Sequence, residues 1–199
     1  ALSAAAPLLG ARALGVRGGS RLLVDGLDLE VAGGEFLAVL GRNGSGKTLL
    51  LHTLAGLRAP SAGAAMLRGD DLRSLARREV ARRIALLPQD LEDLPGTTVL
   101  EAVLTGRYAH QGAFGADAPQ DVPLALAALQ RLGIADFARR EFATLSGGEQ
   151  RRAAAAATLV QQAPVVLLDE PTNHLDPHHQ LAVLEVFAAH ARDGGVVLA

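Results

Sequence analysis

The chain has 199 residues, which is enough for one domain with a substantial hydrophobic core and too few for two domains that each have such a core. Its formal net charge is -2, which argues against nonspecific nucleic-acid binding because such binding needs an excess of Lys and Arg. Cysteine is absent from the sequence, so disulfides and thiolate metal sites are excluded.

No uninterrupted apolar run of the sequence approaches the roughly 20 residues that a membrane-spanning helix needs. Residues 1–9 are mostly apolar but have no basic residue before them, so we expect an irregular N-terminal segment rather than a targeting signal. Residues 196–199 have the pattern of a strand in mid-course. The chain also lacks an initial Met, and we therefore expect it to be cut at one or both ends.

The first predicted elements form an antiparallel meander near the start of the chain. Leu27, Leu29 and Val31 alternate with polar neighbours, and residues 18–20 before them have the Gly-Gly-Ser composition of a turn. The next predicted strand covers residues 35–40.

A glycine-rich loop follows that strand and leads into a helix predicted over residues 48–57. The loop has the Gly-x4-Gly-Lys-Thr spacing of a phosphate cradle, in the stretch Gly41-Arg42-Asn43-Gly44-Ser45-Gly46-Lys47-Thr48. Glycines in such a loop let consecutive backbone N–H groups converge on an anion at a helix N-terminus. The order of strand, loop and helix is the context that this motif requires, although an ordinary strand-to-helix connection has a similar composition.

The middle of the chain combines helix and strand patterns. A basic helix is predicted over residues 74–83, and a short buried strand over residues 84–87 ends at Pro88 and Gln89. We interpret the arginines of this region as a solvated helix face, because aromatic residues are not interleaved with them: Arg73, Arg77, Arg78, Arg82 and Arg83.

Beyond residue 96 the pattern changes to helical segments broken by Gly and Pro. Helices are predicted over residues 99–104 and 124–132. We predict a helical subdomain inserted into a single domain, with the domain at residues 1–199, its core at residues 1–95 and 144–199, and the insertion at residues 96–143.

A second glycine motif opens a predicted helix, in the stretch Leu145-Ser146-Gly147-Gly148-Glu149-Gln150. A buried strand over residues 165–168 then ends in Asp169 and Glu170, a helix is predicted over residues 178–190, and a last strand begins at Val196. In this order the motifs resemble those of one family, the ATP-binding cassette (ABC) ATPases. The resemblance implies an α/β fold of the P-loop NTPase class, in its ABC type, with the antiparallel β-meander and the inserted helical subdomain.

The resemblance implies that the chain binds ATP with Mg²⁺ and hydrolyses the ATP. Backbone N–H groups of residues 44–48 would surround the β-phosphate, and Lys47 would bridge the β- and γ-oxygens as a catalytic cation. The implied nucleotide contacts in the loop are Gly41, Asn43, Gly44, Ser45, Gly46, Lys47 and Thr48.

The implied metal ligands are the Thr48 hydroxyl, Gln89 and Asp169. Gln89 matches the family's glutamine that senses the γ-phosphate through Mg²⁺, so it is also a catalytic candidate. Glu170 directly follows the aspartate and is the implied base that polarises the attacking water. Surface glutamines and acidic residues after a strand also occur without such roles.

The second motif is implied to act across a dimer. Ser146, Gly147 and Gly148 would close over the nucleotide of a second copy, because in this family they do not serve the ATP held by their own Lys47. A Ser hydroxyl and glycine N–H groups at a helix start make a natural anion site. Asp176 matches the acid of a loop through which one subunit touches the other.

Two stretches resemble the group of importers that carry metal chelates, meaning ferric siderophores, haem or cobalamin. They are residues 104–115, which contain Gly-Arg-Tyr, and residues 175–180, which fit Leu-Asp-x-x-His-Gln. This resemblance implies membrane-spanning permease subunits and a substrate-binding protein as partners, no nucleic acid, and a peripheral location on the cytoplasmic face of the inner membrane. The alternatives are a soluble ABC ATPase outside transport and a nonhydrolytic ATP-binding module.

Three features depart from the family pattern. Residues 16–19 offer no aromatic side chain to stack on adenine, and Arg17 is the nearest planar candidate. Ala157 stands where the family usually has an arginine. The family's switch histidine follows the last strand and is expected beyond Ala199.

A group of histidines has the composition of a metal cluster, with His174, His178 and His179 close to Asp176. Pro177 separates the first histidine from the others and disfavours a continuous helix through them. We therefore predict no metal site from these histidines.

Overall fold

The computed structural model describes residues 7–91, 94–111 and 118–199. Within these residues the strands are β1 (Leu9–Gly18), β2 (Arg21–Val31), β3 (Phe36–Leu37), β4 (Ala62–Leu67), β5 (Asp70–Asp71), β6 (Ile84–Leu87), β7 (Val165–Leu168) and β8 (Val196–Leu198). The α-helices are α1 (Lys47–Leu54), α2 (Arg77–Arg83), α3 (Val99–Leu104), α4 (Asp121–Arg131), α5 (Gly147–Val160) and α6 (Pro177–Arg192).

An antiparallel sheet with the order β2-β1-β4-β5 comes first in the chain. Strands β1 and β2 form a hairpin in which Leu9 pairs with Val31 and Gly18 pairs with Arg21. Its turn contains Gly19 at φ 61, a left-handed conformation that glycine adopts at little cost. The predicted antiparallel meander is confirmed, and β4 extends it by pairing with β1.

A parallel sheet with the order β3-β8-β7-β6 carries the loops that the sequence singles out. Its pairings include Phe36 with Val197 and Leu87 with Leu168. Parallel strands place their carboxyl ends at the same edge of the sheet, and in open α/β sheets that edge is where ligands bind. Since β3, β6 and β7 each lead into a predicted site segment, the topology brings those segments together.

The parallel sheet is buried on both faces, so the fold has three layers. Val166 and Leu168 of β7 pack on one face with α3, α4, α5 and α6. Val165 and Leu167 of the same strand pack on the other face with α1 and the antiparallel sheet. A short apolar run that faces helices on one side and a sheet on the other forms a buried parallel strand. The predicted α/β fold class is thus confirmed.

Several predicted elements differ from the structure at their ends. The helices predicted over residues 124–132 and 178–190 cover Asp121–Arg131 and Pro177–Arg192, and three other elements differ for an identifiable reason. The predicted strand over residues 35–40 is a strand only at Phe36–Leu37, and Leu40 is 91% exposed where the chain enters the loop. Helix α1 ends at Leu54 because Gly56, at φ 70, takes the left-handed conformation that terminates helices. Helix α2 begins three residues later than predicted, because Leu72–Ser74 forms a separate 3-10 turn capped by the Asp71 side chain.

The arginines of α2 contact neighbouring segments as well as solvent. Arg78 and Arg82 donate to the carbonyl oxygen of Ala109 at 3.1 and 2.7 Å. Arg83 forms an ion pair with Glu79 at 2.7 Å. The contacts with Ala109 fix α2 against the chain that follows α3, whereas the Arg83–Glu79 pair lies within α2.

Helix α5 packs against both α3 and α4, so the helical layer continues beyond residue 143. The approach is close at Gly106, where an added Cβ would lie 2.1 Å from the carbonyl oxygen of Ala157. Beside it, Arg107 forms a buried ion pair with Asp121 at 2.8 Å. The predicted division into core and insertion remains a prediction, and residues 112–115 of the importer-like stretch lie outside the described residues.

In the described part of the chain, the helices are too short or too polar to cross a bilayer.

Candidate functional site

The carboxyl ends of β3, β6 and β7 surround one cavity of about 370 Å³. Its walls come from the glycine-rich loop, the segment after β6 and the segment after β7. The lining residues are Leu23, Asn43, Gly44, Gly46, Lys47, Thr48, Leu49, Gln89 and Glu170. The structure therefore brings together predicted residues that are more than 120 positions apart in the chain.

The glycine-rich loop leaves the first turn of α1 open to this cavity. Gly44 and Gly46 have φ values of 76 and 100, which residues with a side chain adopt only under strain. Gly46 is the N-cap of α1, and none of the described side chains caps the helix there. The first N–H groups of a helix need partners and carry partial positive charge, so this terminus suits a phosphate.

Lys47 lies across the glycine-rich loop. Its ammonium donates to the carbonyl oxygens of Gly41 and Arg42 at 2.8 and 3.3 Å. Gly41 and Ser45 shape the loop rather than line the cavity, since a Cβ on Gly41 would lie 2.7 Å from the Ser45 hydroxyl. The cation is thus held beside the open helix terminus, where it can neutralise bound phosphate.

Three oxygen donors were predicted to hold magnesium, and the structure allows a test of their fit. The Thr48 hydroxyl donates to the amide oxygen of Gln89 at 3.4 Å. Asp169 is 2% exposed, and its Oδ2 atom has no hydrogen-bond partner among the described residues. A buried carboxylate oxygen without a partner is costly unless it meets a cation. Hydroxyl, amide and carboxylate oxygens are the ligands that Mg²⁺ prefers, so this donor set fits the metal.

Glu170 reaches the cavity from a strained backbone. Its φ of 49 is left-handed, a conformation that a residue with a side chain adopts only where the surroundings impose it, and such strain clusters at functional sites. The side-chain amide of Asn173 donates to the Glu170 carboxylate. The contact with Asn173 was not predicted from the sequence. The available signal was that Glu170 and Asn173 are three positions apart in the Asp-Glu-Pro-Thr-Asn turn.

The second glycine motif lines a different cavity, of about 500 Å³. Its walls are Ser146, Gly147, Gly148, Glu149, Arg152, His174, Leu175, Asp176 and His179. The two cavities share none of their lining residues. The structure therefore places Ser146, Gly147 and Gly148 together with Asp176, and apart from the Lys47 of the same chain.

Helix α5 begins with a capping box. The Ser146 N–H donates to the Glu149 carboxylate at 2.8 Å, and the Glu149 N–H donates to the Ser146 hydroxyl at 3.3 Å. The backbone hydrogen bond from Ser146 lowers the pKa of Glu149, against a smaller opposing effect of burial. The box fixes the Ser146 side chain at the helix start.

Asp176 caps α6 at the rim of the same cavity. It accepts from the His179 backbone N–H at 3.0 Å and contacts the His179 ring at 2.6 Å. These hydrogen bonds, from the His179 side chain first, lower the pKa of Asp176. In residues 7–91, 94–111 and 118–199, no group of three His, Cys, Asp or Glu side chains is placed to hold a metal ion.

Two further features were not predicted from the sequence. Leu23 lines the first cavity, whereas the Arg17 guanidinium donates to the Ser20 carbonyl at 2.9 Å within the hairpin turn. Arg151 of α5 is buried and contacts the segments after β6 and β7. The sequence signal that could have identified Arg151 is a charged residue on the apolar face of an alanine-rich helix.

Comparison with known proteins agrees with this geometry. A model of the ABC transporter family matches residues 24–173. The chain is 41% identical over 191 residues to the cobalamin import ATP-binding protein of Halobacterium salinarum, across 88% of this chain and 48% of that protein. It is 40% identical over 181 residues to the ferric enterobactin transport ATP-binding protein of Escherichia coli, across 91% and 67% of the two chains. The chain thus spans about half to two thirds of the length of these relatives.

Solved structures show the same fold. One is described as an inward-facing conformation of a metal-chelate type ABC transporter, and it matches 97% of this chain and 72% of its own with a TM-score of 0.80 and 30% identity. Another is the dimeric structure of a bacterial ABC transporter cassette, which matches 96% and 86% of the two chains with a TM-score of 0.83 and 25% identity.

Proposed function

The chain belongs to the ABC transporter family, and from this premise we propose that it is the ATP-hydrolysing subunit of an importer for metal chelates such as ferric siderophores, haem or cobalamin. The importer part of the proposal rests on the identity of about 40% to import ATP-binding proteins. The ATP-hydrolysing part is carried by one observation, the cavity at the edge of the parallel sheet. There the open N-terminus of α1, Lys47, Gln89 and Glu170 meet. Each supplies one requirement of phosphoryl transfer, which depends on positioning and charge neutralisation.

Nucleotide binding rests on the loop between β3 and α1. The N–H groups of residues 44 and 46–48 would surround the β-phosphate, while the Ser45 N–H donates to the Arg42 carbonyl at 3.1 Å and closes the loop. Lys47 would exchange its contacts with the Gly41 and Arg42 carbonyls for phosphate oxygens. Leu23 gives an apolar wall to the same cavity, where an aromatic ring is usual in the family. The adenine therefore packs on an aliphatic side chain.

The proposed metal ligands are Thr48 and Gln89, which line the cavity, and the buried Asp169, which directly precedes the cavity residue Glu170. Magnesium, when bound there, neutralises charge on the β- and γ-phosphates. The buried Asp169 Oδ2 then gains the partner that the described residues do not supply. Gln89 lies two residues after β6, and its backbone carbonyl accepts from Arg151 of α5 at 3.2 Å, which links the metal position to the helical layer.

Glu170 accepts the proton from the attacking water as general base. Asn173 holds the carboxylate by donating to one oxygen, which leaves the other free to accept from water. The left-handed backbone at Glu170 turns the side chain toward the cavity immediately after the buried Asp169. The proposed metal ligand Asp169 and the proposed base Glu170 are therefore consecutive residues that face different surroundings.

The working form is a homodimer. The cavity lined by Ser146, Gly147 and Gly148 contains the start of α5, where the capping box engages the N–H groups of Ser146 and Glu149 and not those of Gly147 and Gly148. This cavity shares no lining residue with the phosphate loop of the same chain. A second copy that presents its loop and nucleotide there would complete both sites. The dimeric form of the cassette with the same fold supports this arrangement.

The membrane-spanning subunits bind beside Gln89. A groove of about 500 Å³ runs from the segment after β6 to the helical layer, with Pro88, Leu94, Phe142 and Ala154 among its walls. An apolar segment of a permease fits this surface, and its contact with residues 88–91 would couple transport to the nucleotide site. The protein then lies peripherally on the cytoplasmic face of the membrane, with a substrate-binding protein on the other side.

The test is uptake in the organism that carries the gene. Deletion should abolish uptake of one labelled chelate out of a ferric siderophore, haem and cobalamin, and the wild-type gene should restore it. Glu170→Gln should not restore uptake, whereas the exposed Glu185→Gln should. Unchanged uptake of all three chelates, in a protein that hydrolyses ATP, would reject the importer role and leave the ATPase.

A further inference from the structure

Arg151 is a buried cation that joins the two loops of the nucleotide site. It lies in the second turn of α5 and is 2% exposed. Its guanidinium donates to the carbonyl oxygens of Gln89 at 3.2 Å and Glu170 at 2.8 Å. It also donates to the carbonyl oxygens of Pro88, Asp169 and Pro171.

The partners of Arg151 determine what it can do. Burial lowers its pKa, and the nearby Asp169 and Glu170 carboxylates act in the opposite direction. A buried charge is tolerated only when it is well hydrogen-bonded, and an arginine remains protonated in proteins. In the described part of the chain its hydrogen bonds go to backbone carbonyls, so the side chain fixes main-chain positions.

Those main-chain positions belong to the proposed catalytic groups. Gln89 and Glu170 each receive one of the five contacts at their own carbonyl, and the Glu170 backbone is strained. Arg151 follows Ser146 by five residues in the same helix, a distance of about 7.5 Å along the axis. A rigid helix therefore connects Ser146 with the loops that carry Gln89 and Glu170.

We propose that Arg151 is a positioning residue, which holds Gln89 and Glu170 in their working orientation and couples them to Ser146 at the start of the same helix. Its contacts are with main-chain oxygens, so it acts through the residues that it holds. The proposal rests on the proposed function, because the orientation matters only if Gln89 and Glu170 act on ATP. It adds a direct link between the ATP held by this chain and the ATP that Ser146 contacts in the dimer.

Arg107 offers a matched control. It is also a buried arginine, 5% exposed, and it donates to a carbonyl of α5, that of Val160, at 2.7 Å. Its remaining partners are Asp121 and Gln162, which lie outside both cavities. Substitution of either arginine by lysine keeps the positive charge and removes buried guanidinium hydrogen bonds. The two variants differ in the segments that those hydrogen bonds contact.

The experiment compares Arg151→Lys with Arg107→Lys in the whole natural protein. For Arg151→Lys, kcat should fall by about 10²-fold, as a shift of about 1 Å in catalytic groups does, with less than about a threefold change in KM for ATP. Amide hydrogen exchange should accelerate at residues 88–91 and 169–173 in Arg151→Lys and not in Arg107→Lys. Thermal unfolding followed by circular dichroism checks that both variants are folded.

The measured kcat and exchange rates decide whether Arg151 positions Gln89 and Glu170. A kcat within threefold of wild type, or equal effects of the two variants on kcat and on exchange at those residues, would overturn the positioning role. If Arg151→Lys does not fold, Arg151→Gln, which keeps two donors, is measured in the same way. Absence of ATPase activity in the wild type would instead reject the proposed function, and the exchange data would still test the contacts of Arg151.

Discussion

The Thr48 hydroxyl lies 3.4 Å from the side-chain amide oxygen of Gln89, although 41 positions separate the two residues in the chain. The contact joins the first turn of α1 to the end of β6. It places two of the three proposed magnesium ligands side by side before any metal binds. The site is therefore partly preorganised by the packing of α1 on the parallel sheet.

Thr48→Val should weaken the response of the protein to Mg²⁺, because valine keeps the shape and loses the ligand oxygen. The Mg²⁺ concentration for half-maximal ATPase activity should rise by about tenfold or more, since even outer partners of a metal site contribute 10–100-fold. Thr53→Val is the control, because Thr53 lies in the same helix and donates to the Leu49 carbonyl at 2.7 Å. An equal shift in both variants would exclude Thr48 as a ligand.

Lys47→Ala should lower ATP affinity by about ten- to one-hundredfold, because a hydrogen bond to a charged group contributes roughly 1.5–3 kcal/mol. Binding is measured by titration with a fluorescent ATP analogue. Arg42→Ala removes another cation of the same loop that does not line the cavity, and it should bind normally. Loss of affinity in both would indicate a general electrostatic effect instead of a phosphate contact.

Glu170→Gln should preserve ATP binding and reduce hydrolysis by about 10²- to 10⁴-fold, the range of a general base. The amide keeps the size of the side chain and its contact with Asn173 but cannot take up a proton. Gel filtration with ATP and Mg²⁺ should show a lasting dimer for this variant. Turnover at the wild-type rate would exclude Glu170 as the base.

The composite site is testable by disulfide cross-linking, because the 199 residues include no cysteine. Chains carrying Ser146→Cys and chains carrying Asn43→Cys, each with Glu170→Gln, are mixed with ATP and oxidised. Cross-linked dimers should form in the mixture, since the two residues line different cavities of one chain. Replacing Ser146→Cys by Ser74→Cys should prevent them.

Cross-links within one chain, without cross-links between chains, would reject the dimer arrangement. If one chain carrying both cysteines forms only an internal disulfide, the second glycine motif faces its own phosphate loop.

The capping box of α5 predicts a pH dependence of stability. Its backbone hydrogen bond holds the pKa of Glu149 below the ordinary value of 4.5. A carboxylate with a lowered folded pKa adds stability above its unfolded pKa and loses it as the pH falls through the folded value. The free energy of unfolding of wild type minus that of Glu149→Gln should therefore be constant above about pH 6 and decrease below about pH 4.5.

Glutamine retains the capping geometry, so this difference isolates the charge. The Thr98–Glu101 box of α3 gives a parallel test, because its hydrogen bonds also lower the pKa of Glu101. Urea unfolding at a series of pH values measures both. A difference that grows as the pH falls would contradict the assignment.

Several elements followed from the sequence with the bounds that the structure gives. The strands Ile84–Leu87 and Val165–Leu168 and the helix Val99–Leu104 were predicted as found. Their signals are local, being short apolar or helix-periodic segments bounded by turn residues. The spacing of Gly41 to Thr48 likewise predicted a phosphate-binding loop before α1, since such a loop needs consecutive residues only.

Contacts between distant segments were decided by the tertiary structure. The packing of α1 across the parallel sheet brings Thr48 to Gln89, and the packing of α5 brings Arg151 to the carbonyls of Gln89 and Glu170. Leu23 reaches the cavity wall only because the hairpin folds over the loop. Sequence patterns report the period and capping of one segment, whereas these contacts depend on which faces of several segments bury each other. The sequence by itself therefore determined which chemical groups the candidate site offers, and the packing of the three layers decided which of them lie together.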